Sequence, residues 1–145
     1  MAQKKLNCFY AVGRRKTATA RARVYPGNGE VMVGDKKLTK GETYVNNMPI
    51  EKYFPAAAQK AVYSEVFHCT NSANRFIVTL KVVGSGKSGQ LGAVSLAIAR
   101  GLSLADPKFK EILASKGFLT RDPRSREREK PGLMGARKQK SSPKR

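Results

Sequence analysis

The chain has 145 residues, with 29 Lys+Arg against 10 Asp+Glu and a net charge of +19, where roughly 2–8 in magnitude is ordinary for a small soluble domain. The length sets an expectation of one domain, and 40% hydrophobic residues suffice for a modest core, which excludes a chain disordered throughout. No run of 18 apolar residues occurs, so no membrane span is expected; the basic opening residues lead into no apolar stretch, so no secretory signal is expected, and the two cysteines, Cys8 and Cys69, cannot form a disulfide framework, which points to an intracellular chain.

In chain order, residues 7–12 mix aromatic and β-favouring residues and read as a strand. Gly13-Arg14-Arg15-Lys16 is expected to connect it to the next. Residues 17–25 alternate strictly, with Ala18, Ala20, Ala22 and Val24 on one face and Thr17, Thr19, Arg21, Arg23 and Tyr25 on the other. That period makes a half-buried strand with an arginine-bearing outer face. Pro26-Gly27-Asn28-Gly29 signals a turn, and residues 30–33 and 36–38 read as a short hairpin around Gly34-Asp35. Residues 43–54 are ambiguous, except that Pro49 and Pro55 bracket a single helical turn, residues 50–54, that docks Tyr53 and Phe54. Residues 56–67 have helical spacing through Ala58, Val62 and Phe67, with Ala61 and Val66 beside them, and residues 71–74 break the chain. Residues 76–83 alternate and are rich in β-branched side chains, the pattern of a strand. A glycine loop at 84–89 precedes a helix over 90–104, with Leu91, Val94, Ile98 and Leu102 on one face and Ala93, Ala97 and Gly101 packing closely beside it. Pro107 starts a further helix that ends by Lys116, with Gly117 as its stop. After Leu119 only Leu133 and Met134 are large apolar residues, too few for a core. The expected division is a globular domain over 1–119 and an extended basic tail over 120–145.

The charge is concentrated at the ends. Residues 1–25 hold seven basic residues and no acid, and residues 121–145 hold ten basic and three acidic, so 14 of the 19 net charges lie in 50 terminal residues. Phosphate backbone is the partner that rewards this arrangement. Gly13-Arg14-Arg15-Lys16 and the outward Arg21 and Arg23 would form one basic surface. With Tyr25 the only aromatic expected nearby, backbone and shape recognition is expected over base stacking. In residues 119–130 acids stand among arginines and can orient them by bidentate pairing; residues 135–145 have no carboxylate side chain and form a polycation.

Other chemistry is poorly supported. Gly84-x-Gly86-x-x-Gly89 with Asp106 imitates a dinucleotide fingerprint, but Pro107 and helical spacing stand where the second strand should carry the acid. Gly86-Lys87-Ser88 imitates a phosphate-binding loop, but Lys81 occupies the position of its first glycine. What remains is a flexible loop presenting Lys87 at a helix N-terminus, suited to a phosphate such as one of RNA; Gly86 and Gly89 are expected there for backbone conformation or close approach. His68 and Cys69 lack further ligands at zinc spacing, and nothing positions a partner for the single histidine, so no metal, cofactor or catalytic site is expected.

Six segments together resemble the small-subunit ribosomal protein family numbered nine, in its bacterial and organellar branch. They are residues 11–24 with their Gly-Arg-Arg-Lys core, Gly84-x-Gly86-x-x-Gly89-Gln90, Ile98-Ala99-Arg100-Gly101-Leu102, residues 117–124, Glu127-Arg128 and the final Lys144-Arg145. The resemblance implies an α+β fold: a two-layer α/β sandwich of one mostly antiparallel sheet backed by helices, with a left-handed βαβ crossover and a long basic C-terminal tail. Residue spacing does not give that handedness, since right-handed crossovers dominate. The resemblance further implies a structural, non-enzymatic role on a cytoplasmic ribosome, seated on rRNA in the head of the small subunit beside neighbouring head proteins, with no membrane or small-molecule partner. The expected rRNA contacts are Arg14, Arg15, Lys16, Arg21, Arg23, Lys87, Arg121, Arg124, Arg126, Arg128, Arg137 and Lys138. Lys144 and Arg145 would reach P-site tRNA. The family tail usually ends aromatic-Ser-Lys-Arg, whereas here Pro143 replaces that serine and the aromatic is missing.

Overall fold

The alternation along the second strand decides the architecture. The computed structural model describes residues 8–27, 31–33 and 36–143. The elements run β1 (Phe9–Arg15), β2 (Ala18–Pro26), β3 (Val31–Val33), β4 (Lys36–Leu38), β5 (Thr43–Val45), β6 (Met48–Pro49), α1 (Ile50–Tyr53), α2 (Ala57–Cys69), β7 (Phe76–Val83), α3 (Lys87–Ala105) and α4 (Pro107–Ser115). Ala18, Ala20, Ala22 and Val24 of β2 are all buried. Short side chains at successive inward positions let a helix lie close to the sheet, and α3 takes that place. Ala93, Val94, Ala97, Ile98 and Leu102 join the β2 row and Val78, Leu80 and Val82 of β7 in one core. The approach is closest at Gly13 of β1, where a Cβ would strike the Ala93 carbonyl and the Ala97 backbone.

Five strands form one sheet in the order β1-β2-β7-β5-β6, and β3 pairs with β4 separately. Every pairing is antiparallel except β5 with β7. That parallel pair is joined through β6, α1 and α2, so the expected βαβ unit is present in an otherwise antiparallel sheet. Asn46 and Asn47, at φ 48° and 66°, make the two-residue turn between β5 and β6, as such hairpins require. The Asn46 side chain pairs with the backbone N–H and C=O of Val82, both at 2.9 Å, and prolongs the parallel ladder.

Several expectations shift. The hairpin turn is only Lys16 and Thr17, with Lys16 at φ 51°; Gly13, Arg14 and Arg15 belong to β1, paired with Ala20, Thr19 and Ala18. Tyr25 does lie on the outer sheet face but is buried there with Ile77 under Val31 and Leu38 of the β3–β4 hairpin; the expected hairpin turn Gly34-Asp35 lies outside the described residues. On α2 the buried positions are Tyr63 and Val66, while Val62 is exposed. The helix begins at Lys87, so the glycine loop shrinks to residues 84–86. Gly84 is the strained position, at φ 80° against the Thr17 carbonyl, whereas Gly86 has an ordinary φ of −93° and nothing near it. Asp106 accepts from Lys108 N–H as the N-cap of α4, and no strand follows α3. Residues 120–143 contain no helix or strand.

Candidate nucleic-acid interface

The β1–β2 hairpin places its arginines on two different surfaces. Inward and outward positions alternate, so Arg15 turns toward the helices and Arg14 toward the outer sheet face. Arg14, Arg15 and Arg124 meet around a cleft of about 300 Å³ whose floor includes Leu96, Gly92 and Phe118. Asp122 is part of its lining. Its Oδ2 is 3.0 Å from Arg15 Nη2 and 2.8 Å from Arg124 Nη2, its Oδ1 accepts from Arg124 Nε at 3.0 Å, and the Arg124 backbone N–H donates to it as well. The Arg124 hydrogen bonds, with the charges of Arg124 and Arg15 added, hold the Asp122 carboxyl well below the usual carboxylate range. The carboxylate orients both guanidinium groups, the arrangement expected from acids set among arginines, and attaches the segment beyond α4 to the end of β1.

The outer sheet face carries Arg21 and Arg23, both exposed. The register places Lys81 directly opposite Arg21 and Tyr10 directly opposite Arg23. Neither Lys81 nor Tyr10 stood out in the sequence, because each belongs to a strand whose membership in this face depends on pairing. Among the described residues Arg14, Arg21, Arg23 and Lys81 enter no ion pair and no side-chain hydrogen bond. Like charges directly opposite each other are destabilising, so this face is arranged for an anionic partner rather than for the free chain.

The remaining expected residues are scattered. Lys16 is exposed at the hairpin turn. Lys87 is exposed, but its ammonium lies 3.5 Å from the Tyr53 ring centroid and donates to the Tyr53 carbonyl at 3.3 Å. Tyr53 in turn donates to Gln90 Oε1 at 2.8 Å, and Gln90 donates to the Gly84 carbonyl at 3.0 Å. The glycine loop is thereby fastened to α1. Beyond α4, Arg126 pairs with Glu129 at 3.1 Å, and Glu127 gathers Lys130 at 2.7 Å and Arg137 at 2.8 Å; those two partners hold the Glu127 carboxyl below its ordinary value. Arg121, Arg128 and Lys138 are exposed and have no ion-pair partner among the described residues. Lys144 and Arg145 lie outside the described residues. Arg100 instead donates to the Val12 carbonyl at 2.8 Å and ties α3 to the edge strand.

A second cavity, of about 390 Å³, lies between α2 and the β5–β6 edge; Glu42 and Glu51 are in its lining, which disfavours a polyanion there. Among the described residues no group of three or more His, Cys, Asp or Glu side chains comes together to hold a metal, and no helix is long and apolar enough to cross a membrane.

Residues 13–145 match the family model described as ribosomal protein S9/S16. Among individual relatives, the small ribosomal subunit protein uS9 of Solidesulfovibrio magneticus is 39% identical over 129 residues, covering 89% of this chain and 90% of that protein.

Proposed function

The chain belongs to the ribosomal protein S9/S16 family, a structural family and not an enzyme family, and from that premise we propose that it binds small-subunit rRNA in the head of a bacterial cytoplasmic ribosome and reaches P-site tRNA with its last residues. The observation that carries the rRNA reading is the outer sheet face, where Arg14, Arg21, Arg23 and Lys81 have no ion-pair partner among the described residues. Phosphates supply the missing counter-charge. The cleft of Arg14, Arg15 and Arg124 offers a second, pre-oriented set of donors, since Asp122 fixes two of its guanidinium groups. Arg121, Arg128 and Lys138 would neutralise strands that converge on the C-terminal segment, and Lys16 and Lys87 would touch rRNA at the margins. Lys144 and Arg145 are the cations offered to tRNA. Neighbouring head proteins are the remaining partners.

Residue-level protein–RNA crosslinking in reconstituted small subunits tests the reading. Crosslinks are expected from the β1–β2 hairpin and from residues 121–138. Their absence from both regions, in subunits that contain the protein, would overturn it.

A further inference from the structure

We propose that the outer face of the sheet, which beyond the β3–β4 hairpin no described residue covers, is a base-stacking platform for unpaired RNA, with the ring of Tyr10 as the stacking surface and Arg21, Arg23 and Lys81 as the cations that hold the adjoining backbone. The inference rests on the rRNA-binding reading and goes beyond it by naming the structural state of the RNA and the side chain that detects it.

The strand register builds the platform. Ala11 and Gly13 face the helices, so Tyr10, Val12 and Arg14 face outward. Across the sheet their rows read Tyr10–Arg23–Thr79–Tyr44, Val12–Arg21–Lys81 and Arg14–Thr19–Val83. No carboxylate occurs in these rows. The β3–β4 hairpin covers Tyr25 and Ile77 and ends the face on one side; the Lys16-Thr17 turn ends it on the other.

Tyr10 is 51% exposed, and among the described residues neither its ring nor its hydroxyl has a partner. An aromatic ring on a sheet commonly packs on its directly opposite neighbour. Here that neighbour is Arg23, which is itself free. The ring is therefore an open π-surface within a field of unpaired cations. A duplex uses only half of that offer: its phosphates can neutralise the cations, but its bases are already stacked on one another and its deep groove admits no side chain. An unpaired nucleotide uses both, placing its base on the ring and its flanking phosphates on Arg21, Arg23 and Lys81, the combination by which single strands are held.

The test uses the full chain and fluorescence anisotropy with three labelled probes of equal charge: a 12-nucleotide RNA single strand, the same backbone with abasic sites, and a poly-glutamate peptide. The base-bearing strand should bind on the order of tenfold more tightly than the abasic one. Tyr10→Leu should abolish that preference without changing the salt dependence, and Tyr10→Phe should retain it. Lys81→Ala should keep the preference and reduce the salt slope by about one. Equal affinity for the two RNA probes, or an unchanged preference in folded Tyr10→Leu protein, would overturn the platform and leave rRNA binding standing. Tightest binding to poly-glutamate would also overturn it, by assigning the face to an acidic protein segment. Failure of the rRNA reading itself looks different: no salt-dependent binding of the unaltered chain to a folded small-subunit rRNA fragment.

Discussion

Among single residues, Asp122 and Gly84 have the sharpest consequences. Asp122 has a depressed carboxyl because Arg124, and then Arg15, stabilise its charge. A carboxyl lowered in the folded state adds stability above its unfolded value near 3.9 and loses that contribution as pH falls through the folded value. Asp122→Asn should therefore lower Tm slightly at every pH above about 4, and the difference from the unaltered protein should shrink on acidification below that point; thermal melts between pH 7 and pH 2 check this. A difference that grows toward low pH would contradict the ion pair as the cause. Gly84 combines φ of 80° with a close approach to the Thr17 carbonyl, so Gly84→Ala should cost about 1–3 kcal/mol in chemical denaturation. Gly86→Ala, at an ordinary φ with open space around it, should stay within about 0.5 kcal/mol. The sequence pointed to Gly86 and Gly89 through their spacing; Gly89 does stand close against the Ser85 side chain, whereas Gly86 has no such neighbour. Only the backbone angle reveals which glycine is required.

Where elements meet, the contact between β1 and α3 is the one to test. Gly13→Ala would put a methyl group into the Ala93 carbonyl and the Ala97 backbone; since backbone cannot rotate away as a side chain can, a loss of about 3 kcal/mol or more is expected, read from urea unfolding. Gly92→Ala makes the contrast. The atoms nearest its methyl would all belong to the flexible Arg15 side chain, and alanine gains about 0.8–1.0 kcal/mol of helix propensity over glycine. The free protein should keep or gain stability while Arg15 is pushed off Asp122, a separation visible as a lost Arg15 side-chain signal in NMR. The same contact explains what was legible. The β2 alternation, the whole of β7 and the buried face of α3 could be read directly, because alanines, valines and leucines recur at the period of each element. Gly13-Arg14-Arg15 was read as loop because three charged or small residues resemble a connection, yet their pairing with Ala20, Thr19 and Ala18 continues the strand. The phase of α2 was misread in part: alanines at 57, 58 and 61 fit either face, Val66 and Phe67 do pack on the core as read, and packing against α3 and α4 buries Tyr63 in place of Val62. Arg21 and Arg23 were legible from alternation within one strand; Lys81 and Tyr10 were not, since a binding face assembled from three strands exists only once register is known.

Across the whole molecule, the distribution of charge governs binding. Of the ten basic residues in 121–145, Arg124, Arg126, Lys130 and Arg137 already have carboxylate partners, whereas Arg121, Arg128, Lys138 and Lys140 have none among the described residues. With the unpaired cations of the sheet face, at least six phosphates can be neutralised, and log K for folded rRNA should fall against log salt with a slope of roughly −4 to −5. A slope shallower than about −2 would make the basic ends merely solvated. The final cations can be separated from this assembly term. Residues 134–138 form a turn closed by the Met134 N–H on the Lys138 carbonyl at 2.9 Å, so the reach starts at Lys138; the eight residues from there to Arg145 span at most on the order of 26–29 Å when fully extended, enough to carry Lys144 and Arg145 away from the contacts made by the hairpin and by residues 121–138. Pro143 restricts one φ and so reduces the conformational entropy lost on docking. Deleting residues 143–145 should therefore leave incorporation into the small subunit nearly normal and weaken P-site tRNA binding several-fold to tenfold. The size follows from charge-assisted hydrogen bonds worth about 1.5–3 kcal/mol at most each, diminished by solvent screening. Filter binding of initiator tRNA to subunits carrying the shortened protein measures it, over a range of salt and magnesium. An affinity equal to that of the intact protein throughout that range would remove tRNA from the partners of this chain and leave rRNA as the polyanion that its charge serves.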